Sequence, residues 1–216
     1  MHIARAGIVA AALSAAVACT GVPIGRPAPV PPDPATLMPA LEQRIFDLVE
    51  AERLRIDPKA KMLVLDSELV GVARTHSTDM ATKNYFGHAG PDGRTTADII
   101  MDRDQDFQGL LGENIAAQHF VPDYPIDVDV LAHHFVESWL ASPPHKDNLA
   151  FAAYDRSGVG AAVSGNTIYV TQLFAAEMGP PPPKSKTGPR HVSQLASPHA
   201  AESLPPESPA GGYAKH

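Results

Sequence analysis

Prolines and aromatic side chains occupy different parts of this chain, and that separation confines folding to its middle. Of the 22 prolines, six fall within Val22–Pro34 and nine between Pro180 and Pro209. Of the seven Phe, five Tyr and one Trp, all but Tyr213 lie between Phe46 and Phe174. Aromatic side chains dominate the area a core can bury, so one core is expected there. The proline-rich flanks carry too little apolar surface to offset chain entropy and are expected to be extended or disordered. One domain over residues 37–178 follows, between a linker over 19–36 and a tail over 179–216. A formal charge of −7 and the lack of any Lys/Arg run exclude the basic face that nucleic-acid binding requires. The three positive charges within Lys184–Arg190 read as a solvated part of the tail.

Residues 1–18 have the layout of an export signal: an early Arg5, an apolar stretch from Ala6 to Ala18, then small residues. The stretch is too short for a bilayer span, which needs about 20 apolar residues. Cys19, the only cysteine, stands at the expected cleavage point, and Ala16-Val17-Ala18-Cys19 resembles a bacterial lipobox with Ala in place of the more usual Leu. Lipidation of Cys19 is one expectation; simple cleavage after Ala18, with Cys19 incidental, is the other. A lipid on Cys19 would tether the domain to a membrane, with the Pro-rich stretch as a semi-rigid spacer. Thr20 rather than Asp after the cysteine would then favour the outer membrane in a Gram-negative cell. A lone cysteine forms no internal disulfide.

Within the domain, Leu41, Ile45, Leu48 and Val49 mark the buried stripe of a helix over 37–54. Leu69, Val72, Ala73, His76 and Met80 mark a second, with Asp66 as its N-cap and Glu68 in its first turn. Residues 84–94 read as a loop rich in glycine, and 96–104 as a short third helix. Gly109–Ala117 reads as a strand or strand end. Leu131, Phe135 and Trp139 mark a fourth helix that Pro143-Pro144 is expected to terminate. Ser157–Val163 and Thr167–Phe174, joined by Ser164-Gly165-Asn166, predict a hairpin. In its second strand Ile168, Val170 and Gln172 share one face, and Tyr169, Thr171 and Leu173 the other. Gly158 and Gly160 either weaken the first strand or mark a close backbone approach. The fold class is α+β, with helices covering a small antiparallel sheet.

Polar groups that glycines and turns would expose fall in three segments: Tyr85–His88, Gly112–Ile115 and Trp139–Asn148. Two imidazoles, His88 and His145, and the Glu113 carboxylate can converge on a divalent ion such as zinc, or act as acid and base. Each also has a purely structural reading. His88 can cap a turn, Glu113 can hold loop amides, and His145 can brace the segment after Pro-Pro. His76, on a helix stripe, reads as a satisfied core histidine. His133 and His134 face different directions and are assigned no role.

Taken in order, Ala73–Ala81, Tyr85-Phe86-Gly87-His88, Gly112-Glu113-Asn114-Ile115, Trp139 with Ser142-Pro143-Pro144-His145, Gly158-Val159-Gly160 and Tyr169–Phe174 form a specific set. With it the chain resembles the CAP superfamily of cysteine-rich secretory, antigen 5 and pathogenesis-related proteins, in its bacterial SCP-like branch. The resemblance implies an α-β-α sandwich with a cleft, which in animal members holds two His and two Glu and can take a divalent cation. His88, Glu113 and His145 match three of those positions. Ser142 stands where the second Glu is expected, which leaves a site one anionic ligand short. Asn114 and Ser142 are supporting residues of the same cleft.

Two functions are compatible with this. With no thiol in the domain and no serine in a nucleophile-elbow context, a binding module for a lipid, peptide or glycan is favoured. The alternative is a hydrolase of peptides or cell-wall components, assisted by a metal or by a His–Glu pair.

Overall fold

The computed structural model describes residues 31–122 and 124–178; residues 1–18, Cys19 and the tail from Gly179 lie outside the described residues. The hairpin predicted at the end of the domain is its centre. Strands β3 (Arg156–Ser164) and β4 (Thr167–Glu177) pair in antiparallel register, Ser164 opposite Thr167 and Arg156 opposite Ala175. Gly165 makes the turn at a φ of +57°, where a side chain would be strained. β2 (Gly109–His119) pairs antiparallel along the other side of β4, and the two-residue β1 (Val64–Leu65) pairs parallel with the start of β3. The order is β1-β3-β4-β2, a mixed sheet that adds one short parallel strand to the expected antiparallel set.

β4 is buried on both faces from Thr167 to Ala176, as a central strand between two helical layers must be. The alternation expected from sequence sorts it. Ile168, Val170 and Phe174 pack with Leu41, Ile45, Val49, Phe135 and Trp139 of helices α1 (Met38–Ile56) and α4 (Val128–Ala141). On the opposite face Leu173 and Ala175 pack with Leu69, Val72, Ala73 and Ile100 of α2 (Ser67–Lys83) and α3 (Thr96–Arg103). The result is the expected α-β-α sandwich. Asp66 caps α2 as predicted, accepting from Glu68 N at 2.8 Å and Leu69 N at 3.1 Å.

The glycines of β3 record a close approach. A Cβ on Gly158 would lie 2.7 Å from Leu69 Cβ, and one on Gly160 would lie 2.6 Å from Arg74 Cα. Real side chains do not reach such separations, so α2 lies directly on the β3 backbone. Ser77, fully buried on α2, sits 2.9 Å from both Gly160 O and Thr171 Oγ1 and fastens the contact.

Two features depart from the sequence reading. Among the described residues, regular structure begins with a 3₁₀ turn at Pro34–Leu37, which starts inside the stretch assigned to the linker and runs into the domain, because Asp33 caps it through Ala35 N at 2.9 Å. Pro143 and Pro144 do more than end α4. They open a further helix, α5 (Pro143–Ala150), since a proline in the first turn has no N–H to lose.

The sheet's outer edges are closed by side chains. β1 covers only the start of β3, and beyond it Glu42 of α1 accepts from Ala161 N at 2.9 Å while Arg74 holds the same carboxylate. On β2, Trp139 Nε1 donates to Ile115 O at 3.1 Å and Asn148 Nδ2 to Glu113 O at 3.0 Å. Open edge carbonyls would otherwise recruit a foreign strand.

Candidate functional site

β2 carries Glu113 and Asn114 as neighbours, and successive side chains of a strand point to opposite faces. Glu113 turns toward the loop between α2 and α3, and Asn114 toward α5. The first direction brings Glu113 to His88: His88 Nδ1 stands 2.5 Å from Glu113 Oε1. The Glu113 side chain is 12% exposed and that of His88 33%, so a nearly buried acid orients a reachable imidazole. With a carboxylate as acceptor, Nδ1 carries the proton. The second carboxylate oxygen, Oε2, accepts from Thr96 Oγ1 at 2.6 Å, and Thr96 is itself buried.

The loop that presents His88 is pinned along its length. Asn84, at a φ of 53°, ends α2 in the left-handed conformation. Tyr85 Oη donates to Asp79 Oδ2 at 2.9 Å, and the buried His76 donates from Nε2 to Gly87 O at 3.1 Å. His76 is therefore the satisfied core histidine its position predicts, and it holds the residue next to His88. Burial, then Asp79, pushes the Tyr85 phenol well above its usual range and keeps it a donor. Burial pushes the Asp79 carboxyl up, but Lys83 and Tyr85 outweigh it and hold the group below the usual aspartate value. Ala89 and Thr95 form a bridge that closes the loop, and Gly90 N donates to Arg94 O at 2.8 Å.

Thr96 is placed by the capping box at the start of α3. Thr95 N and Oγ1 each donate to Asp98 Oδ2 at 2.8 Å, and Asp98 N donates back to Thr95 Oγ1 at 3.2 Å. The backbone N–H first, then the hydroxyl, hold the Asp98 carboxyl below its usual value. A carboxyl depressed in the folded state adds stability above the unfolded value of about 3.9 and loses it as pH falls through the lower folded value. Urea midpoints of wild type and Asp98→Ala are therefore expected to differ above about pH 4 and to converge below it. The difference stays under about 1 kcal/mol, because Asp98 is exposed and water screens it. Equal gaps at pH 7 and pH 2.5 would refute the assignment.

The second direction ties α5 to β2. Asn114 is fully buried, and its Nδ2 donates to the main-chain carbonyl of His145 at 3.1 Å. Asn148 Nδ2 donates to Asn114 Oδ1 at 2.9 Å as well as to Glu113 O. His145, half-buried, is thus fixed through its backbone. Ser142 is the hinge residue between α4 and α5, half-buried, with no side-chain capping bond. Thr96 and Asn148 were not singled out in the sequence. The Thr95-x-x-Asp98 capping pattern, not noted in the sequence, would have marked the helix start beside the first, and helical spacing from His145 would have pointed to the second had α5 been foreseen.

Among the described residues, no group of three or more His, Cys, Asp or Glu side chains is arranged to hold a metal ion. The donor geometry agrees. A tetrahedral zinc sets a nitrogen and an oxygen ligand about 3.3 Å apart, given bonds of roughly 2.0–2.2 Å. His88 Nδ1 and Glu113 Oε1, at 2.5 Å, are too close to admit an ion between them. Glu113 Oε2 is taken by Thr96, and Ser142 supplies no acid. No ion fits between this pair, and an ion on the far nitrogen of His88 would have Glu113 as its orienting partner rather than its ligand.

The CAP family model, described as the cysteine-rich secretory protein family, matches residues 52–174, more than half of the chain. The chain belongs to the CAP family. This CAP chain is 30% identical over 127 residues to the uncharacterized protein YkwD of Bacillus subtilis, covering 59% of the chain and 44% of that protein. It is 32% identical over 133 residues to the uncharacterized membrane protein YlbC of the same organism, covering 62% and 34% respectively. Its fold is similar to that of a Bacillus anthracis extracellular protein containing an SCP domain, with a TM-score of 0.52 at 34% identity over 69% of the chain and 45% of that protein. The CAP chain spans less than half the length of these relatives. An outer surface protein of Borrelia burgdorferi shares the fold alone, with a TM-score of 0.52 at 22% identity, over 63% of the chain and 92% of that protein.

Proposed function

We propose that this CAP domain is exported and uses the His88–Glu113 dyad as the polar end of a ligand-binding cleft that His145 and Ser142 also line. The buried Asn114 only ties β2 to α5 and does not reach a ligand. The observation that carries this is the 2.5 Å contact between a one-third-exposed imidazole and a nearly buried carboxylate, presented by a loop pinned at Asp79, Gly87 and Thr95. Such a group is held ready for a partner without reorganisation, which is what preorganised binding requires. Export is supported by the signal-like residues 1–18 and by the extracellular description of the similar Bacillus anthracis protein. Cys19 is proposed as the lipid attachment point; Cys19→Ser is expected to move the protein from the membrane fraction to the soluble fraction.

The same dyad favours one further reading. A carboxylate that orients an imidazole through Nδ1 prepares the ring to act as a general base, so a hydrolase assisted by the His–Glu pair or by a metal is the alternative. One experiment separates the two. The purified full-length chain is mixed in turn with a muropeptide digest, an unfolded casein peptide pool and anionic phospholipid vesicles, while amide spectra and product masses are followed. Binding predicts shifts at His88, Thr96 and Glu113 that His88→Ala removes, with no new products. Cleavage products abolished by His88→Ala would establish the hydrolase instead, and no shift with any probe would end the cleft reading.

A further inference from the structure

Trp139 and Asn148 cap the carbonyls of Ile115 and Glu113, and the caps on the outer edge of β2 stop there. The ladder shows which groups remain. Met178 N donates to Gln108 O at 3.0 Å and Phe120 N to Asn166 O at 2.9 Å, so even-numbered residues of β2 bond to β4 and odd-numbered ones face outward. Leu111 N–H, Leu111 C=O and Glu113 N–H therefore lie on the edge, and none has a partner among the described residues. Leu111 and Glu113 are only half-buried.

A second feature aims at the same place. Tyr154 is 3% exposed, stacked on Phe174 with ring centroids 5.2 Å apart and edge-on to Phe151 at 4.8 Å. From Phe174 on β4 its ring reaches across to Gly112, the residue of β2 that pairs with Phe174. A Cβ on Gly112 would stand 2.9 Å from Tyr154 Cζ and closer still to Oη. The hydroxyl thus ends over β2, directed toward its free edge, and it too has no partner among the described residues. Burial, with Arg53 opposing, holds the phenol above its usual range, so it stays a donor. A buried phenol normally finds a hydrogen-bond partner, and this one is directed to where a ligand would supply it.

We infer that the ligand of the cleft is a peptide in extended conformation, docked as an added strand on the edge of β2 at Leu111–Glu113. Its main chain pairs with the three free groups, and Asn148 on Glu113 O ends the docking register. Neighbouring strands lie about 4.8 Å apart, and their side chains alternate between faces. The peptide residue opposite Glu113 therefore turns toward His88, and the one opposite Gly112 toward the Tyr154 hydroxyl. An acyl chain or a sugar ring has no main chain to match this row of groups. The inference rests on the ligand-cleft reading for the part His88 plays.

The test records amide hydrogen exchange and side-chain NMR in the full-length chain, with an unfolded casein peptide pool as the probe. Chitotetraose and anionic phospholipid vesicles serve as comparisons. Casein peptides are expected to slow exchange at Leu111 and Glu113 N–H by about tenfold or more. Leu111→Pro removes an outward N–H and leaves the ladder to β4 intact, and is expected to lower peptide affinity about tenfold. Tyr154→Phe is expected to lower it about threefold with an unchanged thermal midpoint, as loss of one neutral hydrogen bond to a ligand requires. Peptides that shift His88 while both edge amides exchange as before overturn the docking and keep the cleft. Edge protection with His88 unmoved supports the docking and removes His88 from it. Protection by chitotetraose or vesicles alone, or by no probe, overturns the inference. Should Leu111→Pro fail to fold, the wild-type exchange pattern still decides.

Discussion

Replacing Arg53 by Met lowers the unfolding free energy by about 3–5 kcal/mol, the largest single loss expected in this domain. Arg53 sits in the last turn of α1 and is 1% exposed. Its guanidinium donates to Leu149 O at 2.6 Å, to Phe151 O and Tyr154 O at 3.0 Å, and weakly to Lys61 O at 3.4 Å. These carbonyls line the turn from α5 to β3 and the approach to β1, segments with little regular structure to satisfy them. Burial pulls the guanidinium below its usual pKa, with Glu50 opposing, but the charge remains. A buried ion pair can be exchanged for apolar residues at small cost when both partners change, whereas main-chain carbonyls cannot be mutated away. Methionine fills the volume and leaves the carbonyls without donors, each worth about 1–3 kcal/mol. Urea denaturation at constant slope measures it. A loss under about 1 kcal/mol would mean that water reaches these groups, and would falsify the account.

Gly160→Val is expected to cost about 3 kcal/mol or more, because overpacking here has no flexible neighbour to absorb it. The atoms a Cβ would meet are the backbone of Ala73 and Arg74, so α2 itself must lift from the sheet. Lifting α2 strains the Ser77 contacts to Gly160 O and Thr171, and the bidentate bonds from Arg74 to Glu42 that close the edge of β3. The effect reaches the site as well, since His76 on the same helix holds Gly87 beside His88. Gly71→Ala is the control. Its Cβ would meet only Arg103 Nη1, at 3.7 Å, so the gain in helix propensity, up to about 1 kcal/mol, is expected to appear undiminished. If both substitutions changed the thermal midpoint alike, the close approach of α2 and β3 would not be the cause.

Gly160 shows how much of the architecture was legible. Glycines in an apolar strand have few reasons to exist, and one of them, close backbone approach, is the one found. The buried stripes of α1, α2 and α4 and the two faces of β4 were equally plain, because burial imposes a period of 3.6 or 2 on the sequence itself. The turn at Gly165 and the cap at Asp66 were readable for the same local reason. The site was less so. His88 and Glu113 drew notice through neighbouring glycines and an ordered set of family motifs, but nothing near either residue named Thr96 as the third member. Pro143-Pro144 misled in part, because the signal that stops one helix also starts another.

Sequence alone determined the α+β class, the family, the helical stripes and the hairpin at the heart of the sheet. All of these depend on residues a few positions apart, where periodicity and turn chemistry leave a direct trace. Tertiary structure decided which acid meets which imidazole, that Thr96 occupies the remaining oxygen of Glu113, and that Arg53 serves four carbonyls rather than a surface pair. It also decided how the edges of the sheet are closed by Glu42, Trp139 and Asn148. Such contacts join atoms up to 119 residues apart along the chain, as Thr96 with Glu113, 17 apart, and Glu42 with Ala161 show. Their energies depend on distance and burial in space, and no local pattern encodes either.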